Sequence, residues 1–163
     1  NRVPTPDQTP VPRVEGALRV ATAQQPDGIR VVRRYGSVAP LECLPGQLRQ
    51  VFLNLILNAF QAMSKRGRLV ITTRLVGTRA LFVFEDDGPG IAAANRERLF
   101  DPFFTTKPAG EGTGLGLFIS YEIVRAHGGE IRVQSEPGHG ARFEVVLPVR
   151  QAADARANPP SDA

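Results

Sequence analysis

Val51-Phe-Leu-Asn54-Leu-Ile-Leu-Asn58-Ala-Phe60 decides how this chain is read. The stretch is apolar nearly all round, which marks a buried helix rather than a surface one. Asn54 and Asn58 interrupt it at i, i+4 spacing, so both amides lie on one face. A buried amide without partners costs about 1–3 kcal/mol. Two arrangements avoid that cost. Both side chains can hydrogen-bond neighbouring backbone. Alternatively, a side-chain carbonyl can ligate a hard cation, which takes oxygen donors.

Outward from this stretch, Pro45-Gly46 opens the helix, predicted over about Gln47 to Ser64, and Lys65-Arg-Gly67 stops it. Upstream, Val14 to Gln25 reads as a helix with Val14, Leu18 and Ala21/Thr22 on one face. Ile29 to Tyr35 reads as a strand, and Leu41 to Leu44 as a short extended piece. Downstream, Arg68 to Val76 and Arg79 to Glu85 read as strands joined by the two-residue connection Gly77-Thr78. A loop and short helix run from Asp86 to Leu99, and a loop spans about Phe100 to Thr113. Gly114 to His127 reads as a helix ended by Gly128-Gly129. The last strands are Glu130 to Ser135 and Ala141 to Val149, joined through Pro137-Gly-His-Gly140. Helices alternating with hairpins predict a two-layer α/β (α+β) sandwich, one mixed sheet with three main helices on one face. Residues 1–12, with Pro4, Pro6, Pro10 and Pro12, read as a stiff linker. Residues 13–149 form the domain. Residues 150–163 are Ala-rich and polar with two prolines, and are expected to be disordered.

The chain's 163 residues suit one domain, and an apolar fraction of 42% is enough for a core at this size. No run of about 18 apolar residues and no signal-peptide pattern exist. The chain begins at Asn1 rather than Met, so a longer parent is expected. The single Cys43 cannot form an internal disulfide, and no Cys/His metal cluster exists. A reducing, cytoplasmic compartment is the default expectation. Net charge is +4 and the pI about 10.0. The arginines are scattered apart from Arg33-Arg34 and the Lys65 to Arg68 stretch, and no aromatic residues interleave with them. A solvated surface is expected rather than a nucleic-acid site, with a phosphate- or partner-facing patch as the alternative.

Three further motifs carry chemistry. In Leu81-Phe-Val-Phe84-Glu85-Asp86-Asp87-Gly88-Pro-Gly90, Asp86 shares a strand face with Phe82 and Phe84. The acidic run can be an ordinary strand exit. It can also place Asp86 on an apolar pocket floor, where an ionised carboxylate needs a donor such as a purine's exocyclic amine. Gly88 and Gly90 would then let backbone approach a flat ring. Gly112-Thr-Gly114-Leu-Gly116-Leu117 leads into a helix. It is either a plain glycine-rich helix entry or a phosphate cradle of backbone N–H groups. It lacks the Gly-Lys-Ser/Thr ending of a P-loop. Before it, Phe100-Asp-Pro-Phe103-Phe104-Thr-Thr-Lys107 reads as a lid anchored by three Phe residues. Lys107 is either a solvated loop lysine or a cation for a terminal phosphate.

Together these motifs resemble the N box, first glycine box, F box and second glycine box of the catalytic and ATP-binding domain of bacterial sensor histidine kinases. That domain has the Bergerat fold, in the gyrase–chaperone–kinase–MutL superfamily. The resemblance covers roughly Arg13 to Pro148, and the Phe-Phe-Thr-Thr-Lys lid is similar to the nitrogen-regulation branch. It implies a five-stranded mixed sheet, with ATP and Mg²⁺ as cofactors. Asn58 would hold Mg²⁺, with Asn54 in support and Lys107 in the catalytic set. Asp86 would bind the adenine amine, and Gly88 and Gly90 would shape its pocket. Gly112, Gly114 and Gly116 would wrap the phosphates, with Thr105, Thr106 and Lys107 in the lid. Gln61, Ala62, Ile91, Phe104, Thr113, Leu115 and Leu117 would complete the nucleotide-binding set. Phe103 and Phe104 would pack the lid and help meet a partner domain.

The resemblance also implies a reaction. Superfamily ATPases carry Glu four residues before the metal Asn, where it activates water. Here that position is Asn54, which cannot act as a base. Transfer to an imidazole needs positioning and charge neutralisation instead. Two positions depart from many relatives. Gln61 stands where Lys or Arg is frequent, which puts more weight on Lys107, and Ala141 stands where Thr is frequent. Only His127 and His139 are present, at a helix end and in a turn, and both read as structural or solvated. The acceptor His is therefore expected on a separate dimerisation domain of the same, homodimeric parent, with a response regulator downstream. This domain alone is expected to be monomeric, and the parent is allowed a membrane anchor. Two alternatives are an anti-sigma-type serine kinase and a degenerate ATP-sensing interaction domain.

Overall fold

The computed structural model describes residues 10–107, 109–110 and 112–150. The linker expected over residues 1–12 lies outside the described residues up to residue 9, and the tail expected over 150–163 from residue 151 onward. The architecture follows from one buried helix. α2 (Pro45–Met63) keeps Leu48, Val51, Phe52, Leu55, Ile56, Ala59 and Phe60 out of solvent. Phe52 meets Phe82 and Phe84 of the sheet at ring-centroid separations of 4.8 and 5.8 Å. α1 (Pro10–Ala21) packs on α2 through Val14, Ala17, Leu18 and Ala21. α4 (Gly116–Ala126) flanks α2 on its other side. A short α3 (Ala93–Arg96) lies in the connection before the lid.

The sheet beneath these helices has five strands in the order β1-β2-β3-β5-β4. They are β1 (Gly28–Tyr35), β2 (Arg66–Val76), β3 (Arg79–Asp86), β4 (Glu130–Ser135) and β5 (Ala141–Pro148). β1 and β2 run parallel, joined across α2, and every other pair is antiparallel. Alternation sends Leu69, Ile71, Phe82, Phe84, Phe143 and Val145 into the helix-side core. The opposite face carries a small cluster of Leu81, Val83 and Val146. The expected two-layer sandwich with three main helices is the observed fold.

The boundaries differ in physically informative ways. α1 starts at Pro10 rather than Val14, because prolines in a first helical turn lack an N–H that would go unbonded anyway. Its α-helical part stops at Ala21, and Thr22–Gln24 tighten into a 3-10 turn. α4 starts at Gly116 rather than Gly114, whose φ of 67° is not helical.

Two polar clamps hold the layers together. Glu15 of α1 accepts hydrogen bonds from Arg33 Nε and the Tyr35 hydroxyl on β1, both at 2.6 Å. Burial and the bond to Glu15 hold the Tyr35 hydroxyl well above the usual phenol range. His127, at the end of α4, accepts from the Leu44 N–H at 3.0 Å through Nε2. Its Nδ1 lies 2.7 Å from the Ile123 carbonyl, so that nitrogen carries the proton. The end of α4 is thereby pinned to the start of α2.

Candidate nucleotide site

The two asparagines of α2 take different roles. Asn54 Nδ2 donates to the Gly116 carbonyl at 3.1 Å and to Ser120 Oγ at 3.2 Å. Ser120, fully buried, itself donates to the Gly116 carbonyl at 2.9 Å. Asn54 therefore ties α2 to the first turn of α4. Asn58, one turn on, is half-buried and faces a cavity of about 310 Å³. It makes no hydrogen bond among the described residues. Of the two arrangements open in the sequence, Asn54 takes the first, and Asn58 has a carbonyl oxygen free for the second.

Asn54, Asn58 and Gln61 form one wall of that cavity. Phe104, Thr105, Thr106 and Lys107 of the lid form another, and Gly112, Thr113, Gly114, Gly116 and Leu117 close the end. Leu57 and Leu99 also line it. Sequence reading missed both, since an apolar residue in a buried helix or near a short one gives no sign of the cavity it borders.

The lid is held at its base by backbone. The Phe103 N–H donates to the Gly114 carbonyl at 2.9 Å. Gly114 has φ 67°, and a Cβ there would lie 2.4 Å from the Phe103 carbonyl carbon, so only glycine fits. Inside the lid, Thr105 Oγ1 accepts from the Lys107 N–H at 3.1 Å. Lys107 Nζ reaches across the cavity and donates to Gln61 Oε1. Burial holds the Lys107 ammonium below the usual lysine range.

The expected three-Phe anchor is corrected in one member. Phe100 stacks on Tyr121 at 5.5 Å, and the Arg98 guanidinium lies 4.6 Å over the Phe104 ring. Phe103 is 73% exposed. Its backbone is in the left-handed region at φ 66°, committed to Gly114, and this turns the side chain outward.

At the end of β3, Asp86 is buried on the helix side. Its Oδ1 accepts from the Gly88 N–H at 2.8 Å. Burial pushes its carboxyl above the usual range, partly offset by hydrogen bonds from the Gly88 and Ala141 backbone. Gly90 has φ 77°, with a Cβ position 2.1 Å from the Glu136 carbonyl oxygen. The first glycine motif is thus pressed onto the β4–β5 turn. Ser135 locks that contact, accepting from the Ile91 N–H at 2.8 Å and donating to the Gly140 carbonyl at 2.6 Å. Ser135 was missed in the sequence, where a Ser ending a strand is unremarkable. Ala62 sits against Gly88, with 3.3 Å between its Cβ and the Gly88 Cβ position. Ala62, Asp86, Gly88, Gly90, Ile91 and Leu115 do not line the 310 Å³ cavity. The structure brings Asn54, Asn58, Gln61, the lid residues and the second glycine motif except Leu115 to one cavity, while Ala62, Asp86 and Gly88 meet at the end of β3 and Gly90 and Ile91 lie on the β4–β5 turn.

Residues 43–151 match the family described as histidine kinase-, DNA gyrase B- and HSP90-like ATPase. The chain belongs to this ATPase family. It is 43% identical to sporulation kinase E of Bacillus subtilis (strain 168) over 122 residues, which cover 74% of this chain and 16% of that protein. It is 44% identical to the signal transduction histidine-protein kinase AtoS of Escherichia coli (strain K12) over 113 residues, 69% of this chain and 18% of AtoS. The chain thus spans less than a fifth of these relatives. Among solved structures, the mycobacterial sensor histidine kinase MprB superposes with a TM-score of 0.76 at 26% identity, covering 86% of this chain and 95% of MprB's. Full-length ShkA in complex with AMPPNP superposes with a TM-score of 0.79 at 29% identity, covering 92% of this chain and 32% of ShkA's. These similarities place the chain with the ATP-binding domains of histidine kinases in the family. Among the described residues, no group of three or more His, Cys, Asp or Glu forms a metal cluster, and no helix is long and apolar enough to cross a membrane.

Proposed function

We propose that this domain binds Mg-ATP and donates the γ-phosphoryl group to a histidine on a separate dimerisation domain of its parent, with a response regulator downstream. One observation carries the reading. The unpaired Asn58 amide, the glycine-lined start of α4 and the Lys107 ammonium face one cavity from three sides. An anion there would relieve the desolvation that depresses Lys107. The N–H groups at the start of α4 are aimed for phosphate oxygens. The Asn58 carbonyl suits Mg²⁺, which would neutralise phosphate charge during transfer. Asp86 would accept from the adenine amine, with Gly88 and Ala62 opening around the ring. Neither histidine here suits the acceptor role. His127 is buried with both ring nitrogens engaged, and His139 sits in the β4–β5 turn. The parent would be a homodimer with this domain in the cytoplasm, whether or not a membrane anchor lies elsewhere in that parent.

Calorimetric titration of this chain with ATP, ADP and a non-hydrolysable ATP analogue, with and without Mg²⁺, tests the site. Adenine-selective binding that Mg²⁺ strengthens is expected. A supplied histidine-bearing dimerisation domain should then become labelled from γ-labelled ATP, and the Asn58→Ala variant should bind weakly and transfer nothing. Absence of nucleotide binding would remove the assignment. Binding without transfer to any such domain would leave a nucleotide sensor.

A further inference from the structure

The sheet face away from the helices is divided by charge. On β1, Arg33 and Tyr35 reach Glu15 on the helix side, so Arg30, Val32 and Arg34 point the other way. On β2, Leu69 and Ile71 enter the core, so Arg66, Arg68, Val70, Thr72 and Arg74 share that outer face. Arg30 lies opposite Arg68 in register, and Gly28 opposite Arg66. All five arginines are exposed, and none makes an ion pair or hydrogen bond among the described residues. On β3, β5 and β4, the arginines of the same face are paired except Arg79. Arg142 pairs with Glu85 at 2.6 Å and Glu144 at 2.8 Å, and Arg132 pairs with Glu130 at 2.9 Å. The whole chain carries a net charge of +4. Five unpaired cations on two adjacent strands therefore exceed the excess charge of the molecule. Asp27 and Asp87 share a hollow with Arg30 and Arg68 without pairing to either.

We propose that this arginine stripe seats an extended acidic segment of a partner protein. Its shape selects the occupant. The stripe is two strands wide, roughly 5 Å between strand axes, and runs about 26 Å from Arg66 to Arg74. The groove of about 640 Å³ beside it is lined by Glu85, Asp86, Asp87 and Glu136 as well as by four arginines, so the segment's seat is the stripe itself and not the groove. An extended chain with carboxylates at alternate positions repeats every ~6.6 Å, the spacing from Arg66 to Arg68. No aromatic side chain lies on this face for base stacking, which disfavours single-stranded nucleic acid. The apolar residues among the arginines are half-buried or buried, so nothing between them inserts into a bilayer. The chain's own ends do not fit. Residues 1–9 carry one Arg and one Asp, and residues 151–163 carry two Asp and one Arg. A second copy would present the same arginines.

The test is fluorescence anisotropy of this chain with a labelled peptide of alternating Glu and Thr, at low and at high salt. A labelled DNA duplex and phosphatidylglycerol vesicles run alongside at matched charge. The variants are R30Q/R34Q/R68Q and the control R19Q/R49Q/R125Q, which removes equal charge from the helices. Salt-sensitive peptide binding is expected. The first variant should weaken it about tenfold, and the control should leave it nearly unchanged. Melting curves establish that both variants fold. No peptide binding, equal loss in both variants, or tighter binding of duplex or vesicles through the same arginines would each overturn the proposal. ATP titration of the first variant should match wild type, which separates this face from the nucleotide site.

Discussion

Asp86 carries a charge in a place that disfavours one. Its folded carboxyl titrates above the usual range because it is buried. The folded state therefore holds the proton more tightly than the unfolded chain, and stability falls as pH rises out of the ordinary carboxylate range. Asp86→Asn removes that slope. Its melting temperature should gain on wild type between pH 3 and pH 7, whatever the offset between the two proteins. The same variant should lose a charge-assisted hydrogen bond to the nucleotide, about 1.5–3 kcal/mol, or roughly 10- to 150-fold in affinity. An unchanged titration would separate Asp86 from adenine. Gln61 and Lys107 form the second informative pair. Because Gln61 holds the ammonium over the cavity, Gln61→Leu and Lys107→Met should each weaken ATP more than ADP. The double variant should be no worse than Lys107→Met alone. Additive losses would mean that the contact positions nothing. The family resemblance marked Gln61 as a departure and Lys107 as a candidate phosphate cation, but gave no sign that one holds the other. They stand 46 residues apart, and a Gln–Lys hydrogen bond leaves no periodic trace.

At the scale of elements, the helices and strands were legible because their patterns are strong. α2 announced itself by apolar residues on every side, and the β2–β3 hairpin by Gly77-Thr78, whose Gly77 takes φ 61°. What escaped was the coupling between elements. Asn54 reads as a metal-site neighbour in the sequence, yet it ties α2 to α4 through Gly116 and Ser120. Gly116 and Ser120, at i and i+4 on the start of α4, were the available signal. The lid base is the sharpest constraint at this scale. Gly114→Ala would put a side chain into the left-handed region, at about 1–2 kcal/mol, and drive it into Phe103. A stability lowered by roughly 2 kcal/mol or more, read from denaturant unfolding, is expected, since the clash adds to the conformational cost. A neutral substitution would mean that the Phe103–Gly114 contact does not set the lid's geometry.

For the whole molecule, fold class was readable because hairpins and helices alternate in only a few packable ways. Charge placement was not. A linear count finds scattered arginines, and only the strand register brings Arg30 opposite Arg68. Like charges side by side on a sheet face repel and destabilise it. Arg68→Thr should therefore raise the melting temperature at low ionic strength. The gain should disappear in about 1 M salt, where screening reaches only ~3 Å. An equal gain in high salt would point to strand propensity rather than repulsion. The tie between Phe103 and Gly114 has its own consequence for the whole domain. The chain between them leaves and returns at one backbone hydrogen bond and meets the sandwich through side chains such as Lys107 on Gln61. Lengthening such a loop costs only about 0.6 kcal/mol per doubling. The domain is thus a chassis with a replaceable cassette. Foreign lids spliced between those two residues can change what the cavity admits while leaving the sheet and helices as they stand.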